Sequence, residues 1–158
     1  LEEAGASMLV LELVPAALTH GTAITVWSPL AGGLLTGKYL DAGATSGGRL
    51  SPTDEWGAKH FTSAATTAVA ALAECAKRNG VSLTALSLAW TLQRPGVASI
   101  VMGPRNVEQF TAQLAALDVV PDPQVLDDID RIVPPGGVTV PYYLDDAFAD
   151  FRPQPHHW

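Results

Sequence analysis

Two short stretches hold most of the side chains that could bind or react. Gly32-Gly33-Leu34-Leu35-Thr36-Gly37-Lys38 has the spacing G-x-x-x-x-G-K, in which backbone N–H groups and a lysine cradle phosphates. Tyr39 follows where that motif needs a Ser or Thr hydroxyl for magnesium, and Leu40-Asp41-Ala42-Gly43 is a poor helix start. A triphosphate loop needs a helix N-terminus behind it. Hydrolysis of a nucleoside triphosphate is therefore disfavoured. A glycine turn without a ligand and a loop holding some other phosphate both remain open.

The second stretch is Gly103-Pro104-Arg105-Asn106, a glycine at a strand end followed by an arginine and a helix start. Helix N–H groups and a forked guanidinium can hold a phosphate together; a solvated loop arginine is the plainer reading. Lys38, Arg49 and Arg105 are three of only nine Lys and Arg residues, and all lie on or beside these loops. Other reactive types offer less. His20 sits at a helix end, His60 in an irregular segment, and His156 and His157 in the tail. None is placed as a catalyst. Asp145, Asp146 and Asp150 beside the terminal histidines read as a solvated tail more readily than as a metal site. Cys75 is alone, which excludes an internal disulfide and a cysteine zinc site. It reads as a small buried hydrophobe.

These loops must be positioned by flanking elements. Apolar spacing predicts a helix over Met8 to His20, with Pro15 kinking or starting it, and a strand over Ala23 to Trp27. Residues 40–61 read as a long irregular segment punctuated by glycine and proline. Thr62 to Asn79 is the strongest helix, closed by Lys77-Arg78 and Gly80. The next starts at Ser82 or Thr84 and runs to Gln93. Val97 to Met102 is a second strand. Asn106, with Gln109 three residues on, predicts a capping box and a helix to about Leu117. Asp122 or Pro123 opens a last helix ending near Ile132, and Pro134-Pro135-Gly136-Gly137 ends regular structure. Both strands lack polar alternation and so predict burial on both faces of a parallel sheet. Helices between such strands give the α/β class. Two strands cannot complete a parallel sheet, so the expected unit is part of a larger fold, with residues 137–158 as a tail. Each loop follows a strand, and ligands of α/β folds bind at the C-terminal ends of strands.

Bulk properties narrow the function. The chain has 158 residues, 47% apolar, with a formal charge of −7. One ordinary domain fits that length. The acidic balance disfavours nucleic acid, which needs a concentrated basic surface. No apolar run approaches the roughly 20 residues of a membrane span, and Leu1-Glu2-Glu3 is not a signal-peptide start. A single cysteine fits a reducing, cytoplasmic setting.

The two stretches and the helix between them resemble the aldo-keto reductase family. Trp27-Ser28-Pro29-Leu30-Ala31-Gly32-Gly33-Leu34-Leu35-Thr36-Gly37-Lys38-Tyr39 is similar to the loop after that family's seventh strand. Gly80-Val81-Ser82, Ala85-Leu86-Ser87-Leu88-Ala89-Trp90 and Arg94-Pro95-Gly96-Val97 resemble the helix before its eighth. Ile100-Val101-Met102-Gly103-Pro104-Arg105-Asn106-Val107-Glu108-Gln109 resembles the eighth strand and the loop that grips adenosine.

The resemblance spans roughly residues 8–133 and implies the C-terminal part of a (β/α)8 TIM barrel that reduces aldehydes or ketones with NADPH. It implies that Trp27, Ser28, Pro29, Leu30, Ala31 and Gly33 line the pyrophosphate and nicotinamide-ribose side, with Lys38 supplying charge. Arg49 would lie on the loop closing over the cofactor. Gly103, Arg105, Gln109 and Gln113 would hold the adenosine, Arg105 taking the 2′-phosphate. Where the family often has Glu-Asn, this chain has Ala112-Gln113. The family's catalytic Asp, Tyr, Lys and His lie on earlier strands that nothing here matches, so this chain alone is expected to be inactive. Two alternatives are a non-catalytic NADPH-binding subunit of the potassium-channel type and a truncated, non-functional fragment. Expected partners are a small carbonyl substrate and either the missing N-terminal half or a second copy.

Overall fold

The computed structural model describes residues 20–40, 50–51, 55–134, 137 and 139–140. The expected Met8–His20 helix, except His20 itself, and Arg49 lie outside the described residues, as do His156, His157 and the aspartates of the tail. The elements are β1 (Ile24–Val26), a 3-10 helix (Ala31–Thr36), α1 (Glu55–Ala58), α2 (Ser63–Arg78), α3 (Leu83–Leu92), β2 (Val97–Ile100), α4 (Val107–Leu114), a second 3-10 turn (Ala115–Asp118) and α5 (Pro123–Ile132). Among the described residues, β1 and β2 pair only with each other, in parallel, with Ile24 opposite Val97, Thr25 opposite Ser99 and Val26 opposite Ile100.

Side chains chosen by the sequence start the helices. Thr62 Oγ1 accepts from the Ala65 N–H at 3.0 Å, Ser82 Oγ from Ala85 at 3.1 Å and Asp122 Oδ1 from Val125 at 2.9 Å. Each satisfies one of the first-turn donors that a helix leaves unpaired. Ser82, rather than Thr84, is therefore the cap of α3. Thr62 and Asn79 flank α2 as its caps. The fourth cap, Asn106, accepts from the Gln109 N–H at 2.8 Å. The helix it opens ends at Leu114 and tightens into the 3-10 turn instead of running straight to Leu117.

α3 is the central element. It buries residues around most of its circumference, including Leu83, Ala85, Leu86, Leu88 and Ala89, and packs against α2, α4, β2 and both 3-10 segments. One core lies between α2, α3 and α5, and a smaller one forms where α3 meets Ala116. Leu30 touches both, which ties the first loop to the body of the fold. Burying a leucine such as Leu88 is worth about 1.5–3 kcal/mol. Cys75 is fully buried on α2. Burial, with the Asp128 charge and against Arg78, pushes its thiol up, as for an inert structural cysteine.

The strands correct the expectation of burial on both faces. Val26 is buried, but Thr25, Ala98 and Ser99 are exposed. The exposed Thr25 and Ser99 hydroxyls instead hydrogen-bond each other at 2.9 Å. A parallel strand is covered on both faces only when neighbouring strands and helices are present, and among the described residues each strand has one partner. β2 is also shorter than expected: it ends at Ile100, with Val101 still donating to Val26 O at 2.7 Å, and the chain bends at Arg105 and Asn106.

α4 is inside out by the same logic. Gln113 is its buried residue, while Val107, Phe110 and Leu114, continued by Leu117, form an exposed apolar stripe. Their spacing of three and four residues places them on one face.

α2 and α5 are joined at the surface through Asp128. Its carboxylate accepts from Arg131 at 2.8 Å, Arg78 at 3.4 Å and the Gln124 amide at 3.3 Å. Burial works to raise its pKa, but the Gln124 bond and the two guanidinium groups outweigh it and hold the carboxyl below its usual range. A carboxyl depressed on folding adds stability above its unfolded pKa, about 3.9, and that stability is lost as pH falls through the lower folded value. Asp128→Asn is expected to lower stability at neutral pH and to flatten the acid limb below about pH 4. Urea unfolding at a series of pH values reads both effects.

Candidate functional site

The first loop is shaped by a run of left-handed residues. Ser28 (φ 53°) and Ala31 (φ 49°) adopt this region without being glycine, at a cost of roughly 1–2 kcal/mol each. Strain of that kind persists where the surroundings dictate it, and it clusters at ligand sites. Here the buried Pro29 and Ala31 supply the constraint. Ala31 N–H donates to Ser28 O at 2.9 Å, and Gly33 N–H donates to Leu30 O at 2.8 Å. The Thr36 hydroxyl then ties back to Gly33 O at 2.8 Å. After Gly37 the chain makes a turn, so the helix required by a triphosphate loop does not begin at Lys38.

The backbone at Gly33 favours glycine, and the bare Cα leaves room for Lys38. The glycine's φ is 101°, and a Cβ there would stand 2.9 Å from both Cε and Nζ of Lys38. The lysine folds back across the bare glycine, with Nζ 4.6 Å from the Tyr39 ring centroid.

The second loop is fixed through Gln109. The expected capping box forms in one direction only, because Gln109 Oε1 accepts from the Arg105 N–H at 2.8 Å instead of from the N–H of the cap residue Asn106. The side chain therefore braces the backbone of Arg105.

Both loops open on one cleft of about 760 Å³ at the C-terminal ends of the paired strands. That volume lies within the usual 300–1,000 Å³ of ligand sites. Trp27, Ser28, Pro29, Leu30, Gly33 and Lys38 line it from one side, and Gly103, Arg105, Gln109 and Gln113 from the other. One of the expected site residues that the structure describes is not in it. Ala31 is buried and faces a small apolar cavity of about 60 Å³ beneath the loop. Arg49 lies outside the described residues. Thr36 and Thr84 also line the cleft and were not expected there. Thr84 gets there because α3, capped by Ser82, starts beside the loop. The Ser82 cap was one of the two readings the sequence allowed.

The cleft is polarised. Lys38 and Arg105 line it, and no Asp or Glu is among the described residues that do. In a chain of net charge −7, that local excess of cations selects an anion. Trp27 presents a broad exposed indole, 63% accessible. Gln113 is 9% exposed, and its Oε1 has no hydrogen-bond partner among the described atoms. A buried acceptor left unpaired costs about 1–3 kcal/mol. A ligand donor in the cleft would relieve that cost.

His60, expected in an irregular segment, is almost fully buried and does not line the cleft. Among the described residues no group of three or more His, Cys, Asp or Glu could hold a metal ion. No described helix is long and apolar enough to cross a membrane.

Comparison with known proteins gives one consistent answer. The model of the aldo/keto reductase family matches residues 7–134. A probable voltage-gated potassium channel subunit beta of Oryza sativa subsp. japonica is 34% identical over 126 residues, covering 77% of this chain and 38% of that protein. An uncharacterized oxidoreductase of Bacillus subtilis is 34% identical over 134 residues, covering 84% of this chain and 39% of its own length. A putative channel subunit beta of Schizosaccharomyces pombe is 34% identical over 135 residues, with 77% and 37% covered. The chain thus spans less than two fifths of the length of these relatives.

Proposed function

The chain belongs to the aldo/keto reductase family, and from that premise we propose that it is the C-terminal part of a (β/α)8 barrel whose cleft binds NADPH for the reduction of aldehydes or ketones. The observation that carries this reading is the meeting of both loops in one cleft that holds two cations and no described carboxylate. When bound, NADPH supplies a hydride to a carbonyl carbon. The residues of this chain bind and orient. Lys38 on Gly33 meets the pyrophosphate, and Arg105 meets the 2′-phosphate. The orphaned Gln113 Oε1 accepts from the exocyclic amino group of adenine, and Trp27 offers a flat wall on the nicotinamide side. Ala31 contributes from beneath by fixing the loop, and Arg49 belongs to the segment that closes on the cofactor.

The single-domain barrel reading is supported by the parallel pairing of β1 and β2 and by what they leave open. The strand edges left unpaired among the described residues and the stripe on α4 are what further strands and helices of a barrel cover, on this polypeptide or on a partner. We place the protein in the cytoplasm on its single cysteine, and we take its substrate to be a small carbonyl compound.

A second reading has a specific observation behind it: two of these relatives bear the name of channel beta subunits. In that reading the same cleft senses NADPH and the chain has no catalytic role. Both readings share one test. NADPH titrated into the folded chain is expected to give a saturable change in tryptophan fluorescence that Trp27→Phe abolishes. No saturable change would remove the cofactor from both readings. Carbonyl-dependent NADPH oxidation by this chain alone is expected to be absent, and turnover would show that a catalytic set lies within it.

A further inference from the structure

We infer that Tyr39 is a positioning residue that holds the Lys38 ammonium in place for a phosphate group in the cleft. The inference rests on reading the cleft as a cofactor site and adds a residue that reading does not use. In the sequence Tyr39 is only the residue that breaks the triphosphate motif. In the structure its ring is clamped. The hydroxyl accepts from the Leu50 N–H at 3.1 Å and reaches Gly32 O at 3.5 Å. The ring also packs against Phe61 in a T-shaped pair, with centroids 5.2 Å apart and planes at 86°. Leu50 is fully buried, and its side chain fills the space beside Gly32 that a Cβ would need. The ring therefore has little freedom of its own.

Lys38 Nζ sits 4.6 Å from the centroid of that ring. Gly33, which has no Cβ, lets the same ammonium cross the loop towards the cleft. A cation over an aromatic face is held by the ring quadrupole. A lysine free in solvent loses several rotamers when it meets a ligand. One already resting on a fixed ring loses fewer, so it binds more tightly for the same contact. The face of the ring provides the attraction, and the Phe61 contact still holds the ring where the hydroxyl is lost. Phenylalanine can therefore replace tyrosine in this role, and leucine cannot.

The test is a double-mutant cycle on the full chain, with inorganic pyrophosphate and then NADPH as probes in calorimetric titrations. Tyr39→Leu is expected to weaken pyrophosphate about 3–10-fold, whereas Tyr39→Phe stays within about 2-fold while lowering the thermal midpoint through the lost hydroxyl. In a Lys38→Gln background Tyr39→Leu is expected to cost less than about 2-fold, because its effect runs through the lysine. An equal cost in both backgrounds, or Phe behaving as Leu does, would overturn the inference. Should the leucine variant not fold, the Lys38 methylene protons give a second reading. Ring current is expected to shift them upfield in the wild type and in Tyr39→Phe; unshifted resonances in the wild type would overturn the inference. Pyrophosphate binding with this pattern but no NADPH binding would overturn the cofactor reading and leave the role of Tyr39 standing. A wild-type chain that binds neither overturns both.

Discussion

Arg105→Gln is expected to weaken NADPH binding by at least about 10-fold, which corresponds to the roughly 1.5–3 kcal/mol of a hydrogen bond to a charged group. NADH binding is expected to stay within about 2-fold, since a residue that serves the 2′-phosphate has nothing to contact in a cofactor without one. The selectivity follows from how the loop is built. The Arg105 backbone is fixed by Gln109 Oε1 at 2.8 Å, so changing the side chain leaves the loop in place. Arg105 is exposed, and stability should move by no more than about 0.5 kcal/mol. Calorimetric titration with both nucleotides checks the result. Equal losses for NADPH and NADH would place Arg105 elsewhere in the site, and no loss for either would remove it.

Gly57→Ala is expected to be the most destabilising glycine-to-alanine change among the described residues, at about 2–4 kcal/mol. Gly57 lies in α1, and a methyl group there would overlap the Ser51 carbonyl oxygen and come within 2.6 Å of the Ser51 nitrogen. The obstacle is backbone, which cannot rotate away as the end of a side chain can. Gly57 O also accepts from the His60 N–H at 2.8 Å, so displacing the glycine disturbs the turn that carries the buried His60. Gly80→Ala is the useful comparison. Its φ is +69° with nothing within 4 Å of the new Cβ, so backbone strain alone acts and the loss should be near 1 kcal/mol. Urea unfolding of both variants measures the difference. Similar losses at the two positions would mean that Ser51 yields.

The contrast between these glycines shows what the sequence can and cannot say. Gly80 was readable as a helix stop because capping chemistry is local. So were Asn106 as a cap and, each as one of two readings, Ser82 and Asp122, whose short polar side chains have one natural partner a few residues on. The two loops were legible as glycine turns that carry a cation at a strand end for the same reason: those features lie within a few residues. Gly57 was not, because its meaning depends on Ser51 folding back against it. The inward turn of Ala31 and the positive φ of Ser28 were hidden too, since neither residue type favours that conformation and only the surrounding packing imposes it.

α4 marks a different limit. Its apolar spacing was visible, but periodicity says which residues share a face and not what covers it. Here the stripe of Val107, Phe110 and Leu114 is exposed while Gln113 is buried at the cleft. The strands read as buried on both faces for the same reason, and with only each other as partners among the described residues they leave Thr25 and Ser99 exposed. Gln109 was expected to complete a capping box with Asn106, and it accepts from the Arg105 N–H instead. A side chain three residues past the cap can reach the N–H of Arg105 as readily as that of Asn106, and loop geometry decides between them.

The central claim is that the two loops form one nucleotide cleft, and amide chemical-shift mapping during an NADPH titration tests it most directly. Resonances of Gly33 and Lys38 in the first loop and of Gly103 and Arg105 in the second are expected to move together and to saturate with a single dissociation constant. Shifts confined to one loop, or different constants for the two, would contradict it.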